Sequence, residues 1–178
     1  AFSDIQVICP SKKGETGTQN LNRLLQGALN PPDKDKGEIT IAGQVFRTGD
    51  KIMQVKNNYD KEVFNGDIGR ITAVDLQERT LQVMFDGRVI EYDVSELDEL
   101  VHAYATTIHK AQGSEYPIVV MPVLMTHFVM LQRNLLYTGI TRAKKVLVMI
   151  GSKKALAYAV HNVTVSQRNT KLKERLMR

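Results

Sequence analysis

Cysteine occurs once in these 178 residues, and the pair Gly-Lys does not occur at all. The lone Cys9 excludes an intrachain disulfide and fits a reducing, cytoplasmic compartment. It ends the apolar run Ile5-Gln-Val-Ile-Cys9, which suits a small buried hydrophobe better than a reactive thiol. Without Gly-Lys there is no Gly-x-x-x-x-Gly-Lys-Ser/Thr loop, so the chain has no phosphate cradle of that kind. Histidine stands only at 102, 109, 127 and 161, with no pair at metal-ligand spacing and no cysteine nearby, which argues against a zinc site. No signal-peptide pattern opens the sequence, and no apolar run is long enough for a bilayer. A soluble protein without a membrane partner is expected.

Hydrophobic residues make up 43% and charged residues 24%, ordinary values for one globular core with a small inserted module. The net charge of +5 is unevenly spread. Residues 48–100 carry 6 Lys/Arg against 12 Asp/Glu, whereas residues 101–178 carry 12 against 2. The basic segment suggests a polyanion, phosphate or nucleic acid. A solvated basic tail accounts equally well for the cations after residue 167, but not for Lys110 or Arg142.

Periodicity divides the chain at 1–36, 37–100, 101–162 and a basic tail at 163–178. In the first part a short strand (5–9) and a basic, Gly-containing loop (11–17) precede a helix from about Thr18. Leu21, Leu24, Leu25 and Ala28 fall at helical spacing there, and Asn30-Pro-Pro32 stops the helix. The second part predicts five or six short strands separated by turn signals, among them Ala42-Gly43 and the hairpin turn Asp86-Gly87, which suggests a small barrel of SH3 type. The third part predicts a strand over 100–105 ending in Thr106-Thr107, a short helix over 108–112 and a buried strand over 117–124. A helix from about Phe128 to Arg142 follows, with Leu131, Leu135, Leu136 and Ile140 as its apolar face. A buried strand over 145–150 and a final helix to about His161 complete the pattern. Apolar runs without alternation imply a parallel sheet covered by helices, so the fold class is α/β with the barrel inserted between two halves of one sheet. Asp98-Glu99 lacks a preceding apolar run and reads as an exposed surface pair.

Two stretches set polar side chains in otherwise apolar surroundings: Ala105-Thr-Thr-Ile-His-Lys-Ala-Gln-Gly-Ser-Glu115 and Tyr137-Thr-Gly-Ile-Thr-Arg-Ala-Lys-Lys145. Thr106, Thr107, His109 and Lys110 leave a strand end, a combination suited to the phosphates of a nucleic-acid strand; a helix N-cap by Thr107 accounts for the same pattern. Gly113 suits a left-handed terminus after Gln112, and Glu115 could accept from a ribose hydroxyl. Arg142 ends an apolar helix among small residues. It could reach a phosphoryl group on a facing domain, or merely cap its own helix.

Ala105–Glu115 resembles motif V of superfamily 1 helicases, and Leu135-Leu-Tyr-Thr-Gly-Ile-Thr-Arg-Ala143 resembles their motif VI. Ile8-Cys-Pro-Ser-Lys-Lys-Gly14 with Leu21-Asn22 resembles motif IV of the RecD/TraA branch. Gly49-Asp-Lys-Ile-Met-Gln54, Asn57-Asn-Tyr59 and Val63-Phe-Asn-Gly-Asp67 resemble that branch's SH3-like 2B module. The resemblance covers nearly all of residues 5–161. It implies a RecA-like 2A domain interrupted by a 2B barrel, the C-terminal fragment of an ATP-driven DNA helicase that moves 5′→3′ on single-stranded DNA. Arg142 would be the arginine finger. Lys13, with Lys12 as the other candidate, would be the motif IV cation near the γ-phosphate. Gln112, Gly113 and Glu115 would face the nucleotide, and Thr107 with His109 would hold the strand. ATP and Mg²⁺ would be bound mainly through an N-terminal RecA-like domain, the metal entirely so, and nuclease or repair subunits are further partners the branch implies. The fragment alone is expected to be inactive. A different reading is a non-catalytic binding module built on the SH3-like barrel, with the barrel holding a protein partner or the basic third region holding nucleic acid.

Overall fold

The computed structural model describes residues 4–163. All of the expected basic tail except Val163 lies outside the described residues. Four parallel strands form one sheet in the order β11–β10–β1–β9: β1 (Ile5–Cys9), β9 (Ala105–Thr107), β10 (Tyr116–Val123) and β11 (Ala143–Gly151). β1 lies between two strands that follow it by about a hundred residues, and everything from α1 (Thr18–Leu29) to β8 (Leu100–His102) is inserted between β1 and β9. The inserted part holds the antiparallel sheet β7–β6–β5–β4–β8, made of β4 (Lys51–Gln54), β5 (Ile68–Asp75), β6 (Thr80–Phe85), β7 (Arg88–Asp93) and β8. Beside it stands the hairpin of β2 (Glu38–Ile41) and β3 (Gln44–Arg47). Both tight hairpins use turn residues at positive φ, Ala42 and Gly43 (50° and 79°) and Asp86 and Gly87 (44° and 83°). That is the conformation the right-handed twist of paired strands demands.

Each sheet closes over its own core. Ile8, Ile108, Ala111, Val119, Met121, Val123, Leu136, Ala155 and Ala159 pack under α2 (Arg133–Ile140) and α3 (Lys153–His161), whereas Phe46, Ile52, Val63, Ile71, Leu81, Val83 and Tyr92 fill the barrel. Cys9 is fully buried, and burial pushes its thiol up to about 12.

Several elements depart from expectation. The strand expected over 100–105 is two strands: β8 pairs with β4 of the barrel, and β9 pairs with β1 of the parallel sheet. Asn22 of α1 grips this change of sheet, donating to the carbonyls of His102 and Ala105 and accepting from the Ala105 amide. α1 buries Gln26, with Asn30 buried at its C-cap, and leaves Leu24 49% exposed while Leu21 and Leu25 are half-buried, so the face toward the core is partly polar. The 108–112 segment is a set of turns, held by Ala111 N–H to the Thr107 carbonyl and Ser114 N–H to the Ala111 carbonyl. A single closed turn does not repay helix nucleation. The helix expected from Phe128 begins at Arg133, because Asn162 captures the Leu131 carbonyl and the Arg133 amide that a continuous helix would use. β11, expected as a buried strand, lies at the sheet edge with Val146, Val148 and Ile150 46%, 41% and 60% exposed. Glu99, expected as half of an exposed pair, accepts from Gln54 and Asn58 and helps tie the barrel, while Asp98 stays outside with Lys56.

Candidate functional site

All four strands of the parallel sheet run the same way, so the sheet has a carboxyl edge and an amino edge. The expected site residues divide between them. At the carboxyl edge, Cys9 and Thr107 are paired neighbours, and the Ile108 amide donates to the Cys9 carbonyl. The loop after β1 carries Lys12 and Lys13, and the turn after β9 carries His109 and Lys110. Lys12, Lys13 and His109 are exposed and Lys110 is half-buried. Burial lowers the Lys110 pKa, and the charge of Lys12 beside it lowers it further. Two ammonium groups crowded in this way are relieved by an anion between them. The Thr107 hydroxyl accepts from the Lys110 amide at 3.2 Å, the capping bond considered from sequence, although turns rather than a helix follow. Thr106 is 4% exposed and pairs with Ile8, so it supports the sheet and offers no surface to a ligand.

Arg142 stands at the opposite, amino edge, directly before β11. Its Nε donates to the Thr138 carbonyl at 3.2 Å, its Nη1 to the Ser114 carbonyl at 3.0 Å and its Nη2 to the Thr141 hydroxyl at 3.3 Å. The guanidinium thus caps the end of α2 and ties it to the segment before β10. Glu115 is half-exposed and paired with Lys144 at 3.1 Å. Gln112 and Gly113 are exposed, and Gly113 has the expected positive φ, 86°. The small residues near Arg142 serve the chain's own packing: a Cβ on Gly139 would lie 2.7 Å from Met121 Sδ.

The structure therefore does not bring Lys12 and Lys13 to Arg142. Six residue steps along β10, from Tyr116 beside Arg142 to Pro122 level with the end of β1, separate the two groups, about 20 Å of strand. What joins them is residues 107–115, which run across the sheet from the carboxyl end of β9 to the amino end of β10 and bury Ile108 and Ala111 on the way.

Two groups of residues escaped the sequence reading. Asp50, given no role of its own within the Gly49–Gln54 stretch, is fully buried and accepts from Gln26 (2.7 Å), Asn30 (2.7 Å), Tyr104 (2.9 Å) and the Arg47 amide (2.8 Å). His102 Nε2 lies 3.1 Å from the same carboxylate. Both amide hydrogens of Gln26 are spent on Val45 and Asp50, so Nε2 carries the His102 proton and donates it. The other group is a cleft of about 330 Å³ between the loops after β1 and β10, with His127 in its wall. Of its lining, Ser11–Thr16 belong to the loop expected after the first strand and Val129 and Met130 to the expected helix, and no sequence signal joins the two. The inward stripe Asn22, Gln26, Asn30, at intervals of four, is the one sequence signal that pointed to the first group.

Two family models match the chain. The ATP-dependent RecD-like DNA helicase SH3 domain matches residues 21–85, and the UvrD-like helicase C-terminal domain matches residues 102–150. The chain is 40% identical over 172 residues to the ATP-dependent RecD2 DNA helicase of Deinococcus radiodurans, a match covering 97% of this chain and 23% of that protein. It is 30% identical over 156 residues to the RecBCD enzyme subunit RecD of Buchnera aphidicola, covering 86% of this chain and 26% of that protein. The chain thus spans about a quarter of the length of these relatives. In fold it is similar to the Pif1 helicase from Bacteroides in complex with ADP-AlF3 and ssDNA, with a TM-score of 0.60 at 19% identity over 83% of this chain and 40% of that one. The Pif1 helicase from Candida albicans is similar with a TM-score of 0.51 at 16% identity, over 86% of this chain and 49% of that one.

Proposed function

Because the chain belongs to the RecD-like superfamily 1 helicases and carries their SH3 and C-terminal helicase domains, we propose that it is the second motor domain of an ATP-dependent DNA helicase that moves 5′→3′ on single-stranded DNA. The polarity follows from the resemblance to that branch. One observation carries the rest: residues 107–115 link a cationic carboxyl edge to an amino edge where Arg142 is bonded to the same segment at Ser114.

At the carboxyl edge, Lys110, Lys12, Lys13, His109 and the Thr107 hydroxyl hold strand phosphates. Contacts of this kind position a strand without reading its sequence. Lys12 and Lys13 act there rather than at the γ-phosphate, since their edge is the one that carries Lys110. At the amino edge Arg142, with Gln112, Gly113 and Glu115, faces an ATP bound on the other motor domain, which supplies the phosphate cradle and the Mg²⁺ ligands. A planar cation offered from a facing domain stabilises charge on the transferred phosphoryl group. To reach it, the guanidinium exchanges its bonds to Thr138, Ser114 and Thr141 for phosphate oxygens. Release of the Ser114 carbonyl frees one end of the segment whose other end holds the strand, which couples hydrolysis to strand grip. In the full-length protein Arg142→Ala lowers kcat for ATP by about 10³-fold or more while ATP still binds. Near-normal turnover in a steady-state ATPase assay would remove Arg142 from this role.

A further inference from the structure

The cleft at the carboxyl edge lies where open parallel sheets commonly hold ligands, outside the ends of β1 and β10. Its walls are the loop Ser11–Thr16 on one side and the segment Leu124–Met130 on the other. The second wall supplies Leu124, Val129 and Met130, with Val129 68% exposed. Lys13 lines the cleft, and Lys12 and Lys110 lie on the same edge of the sheet. Glu15 also lines the cleft and disfavours a phosphate inside it.

The two walls are tied together. His127 Nε2 is 2.9 Å from the Thr16 hydroxyl, and the imidazole is 6% exposed. Burial lowers its pKa, so the ring is neutral near pH 7. The His127 carbonyl accepts from Met130 and Leu131, which closes a turn within the second wall. A cleft held open in this way needs little reorganisation to receive a ligand.

We propose that this cleft takes one unstacked nucleobase of the bound single strand, while Lys12, Lys13 and Lys110 hold the phosphates on either side. The carbon-rich wall meets the face of any base, and the Met130 thioether suits an aromatic ring. The hydroxyls of Ser11, Thr16 and Thr126 meet base edges without demanding one base. A site of this chemistry resists slippage along the strand and stays indifferent to sequence. The proposal rests on the strand-binding reading above and narrows it to one place.

The test is an abasic scan in the full-length protein, using fluorescein-labelled oligothymidylate with a single abasic residue moved along it. The unaltered protein is expected to lose about ten-fold in affinity at one position of the scan. Val129→Ser with Met130→Ala is expected to bind the intact strand about ten-fold more weakly and to show no loss at that position. Met130→Leu, which keeps the apolar wall, restores the sensitivity, so a variant weakened by misfolding is recognised. A scan without a sensitive position, or a double variant weakened equally on intact and abasic strands, overturns the base cleft and leaves phosphate binding standing. Absence of binding to any strand would overturn the strand-binding reading itself.

Discussion

Asp50 is the residue on which most depends. A buried carboxylate is costly unless donors surround it, and here they come from α1, β3, β8 and the segment before β9. Burial alone would raise its pKa; the bonds from His102 and Asn30, the His102 ring and the Arg47 amide outweigh burial and hold it below the ordinary value. The sign is that of a depressed acid. Its stabilisation is complete above the unfolded pKa of about 3.9 and is lost as pH falls through the lower folded value. Asp50→Ala strands four or more buried donors and is expected to cost about 3–5 kcal/mol in urea unfolding. Asp50→Asn should also flatten the loss of stability below pH 4. Cys9 provides a second test at this scale. Because its thiol is buried and pushed up to about 12, alkylation of the native protein should be negligible and should appear only with global unfolding. Rapid labelling in buffer would contradict that burial.

Elements are set here by what they meet as much as by their own residues. α2 is eight residues long because Asn162 takes the hydrogen bonds on its N-terminal side and Arg142 caps the other end. It lies close to the sheet at Gly139, over Met121 and Ile108. Gly139→Val should therefore cost about 1–3 kcal/mol in chemical denaturation, the scale of overpacking, despite removing a helix glycine. A stabilised variant would mean that α2 stands off the sheet. α1 makes the complementary point. Its polar stripe, Asn22, Gln26 and Asn30, faces Asp50 and the change of sheet at 102–105, so the helix that follows the Lys12–Lys13 loop also anchors the strand leading to Thr107.

Over the whole molecule, the barrel and the parallel sheet keep separate buried clusters, joined by the chain crossing, by Ile68 packed against the parallel-sheet core and by Lys51 bonded to the Ile5 carbonyl and the Gln6 side chain. The edge proposed to bind the strand and the Arg142 edge both belong to the parallel sheet, whereas the proposal assigns the phosphate cradle to a further motor domain. Residues 1–178 alone should accordingly bind oligothymidylate but show no ATP turnover above background. Engaging about three phosphates, the strand affinity should fall with log salt at a slope near −2. Turnover by these residues alone would overturn the division of labour between domains, and a salt-independent affinity would overturn the cationic edge.

Sequence by itself determined what depends on a few adjacent residues. The hairpins at Ala42-Gly43 and Asp86-Gly87, the strands β1 and β10 read from unbroken apolar runs, and the two motif segments were legible, because turn sterics and strand pattern act locally. The tertiary structure decided which faces meet. That α1 turns amides inward, that Asn162 ends a helix thirty residues away, and that Lys12 joins Lys110 rather than Arg142 all follow from partners distant in the chain. A side chain's spacing says which neighbours share its face. Whether that face is buried, and against which carboxylate or carbonyl, is settled only when β1 comes to lie between β9 and β10.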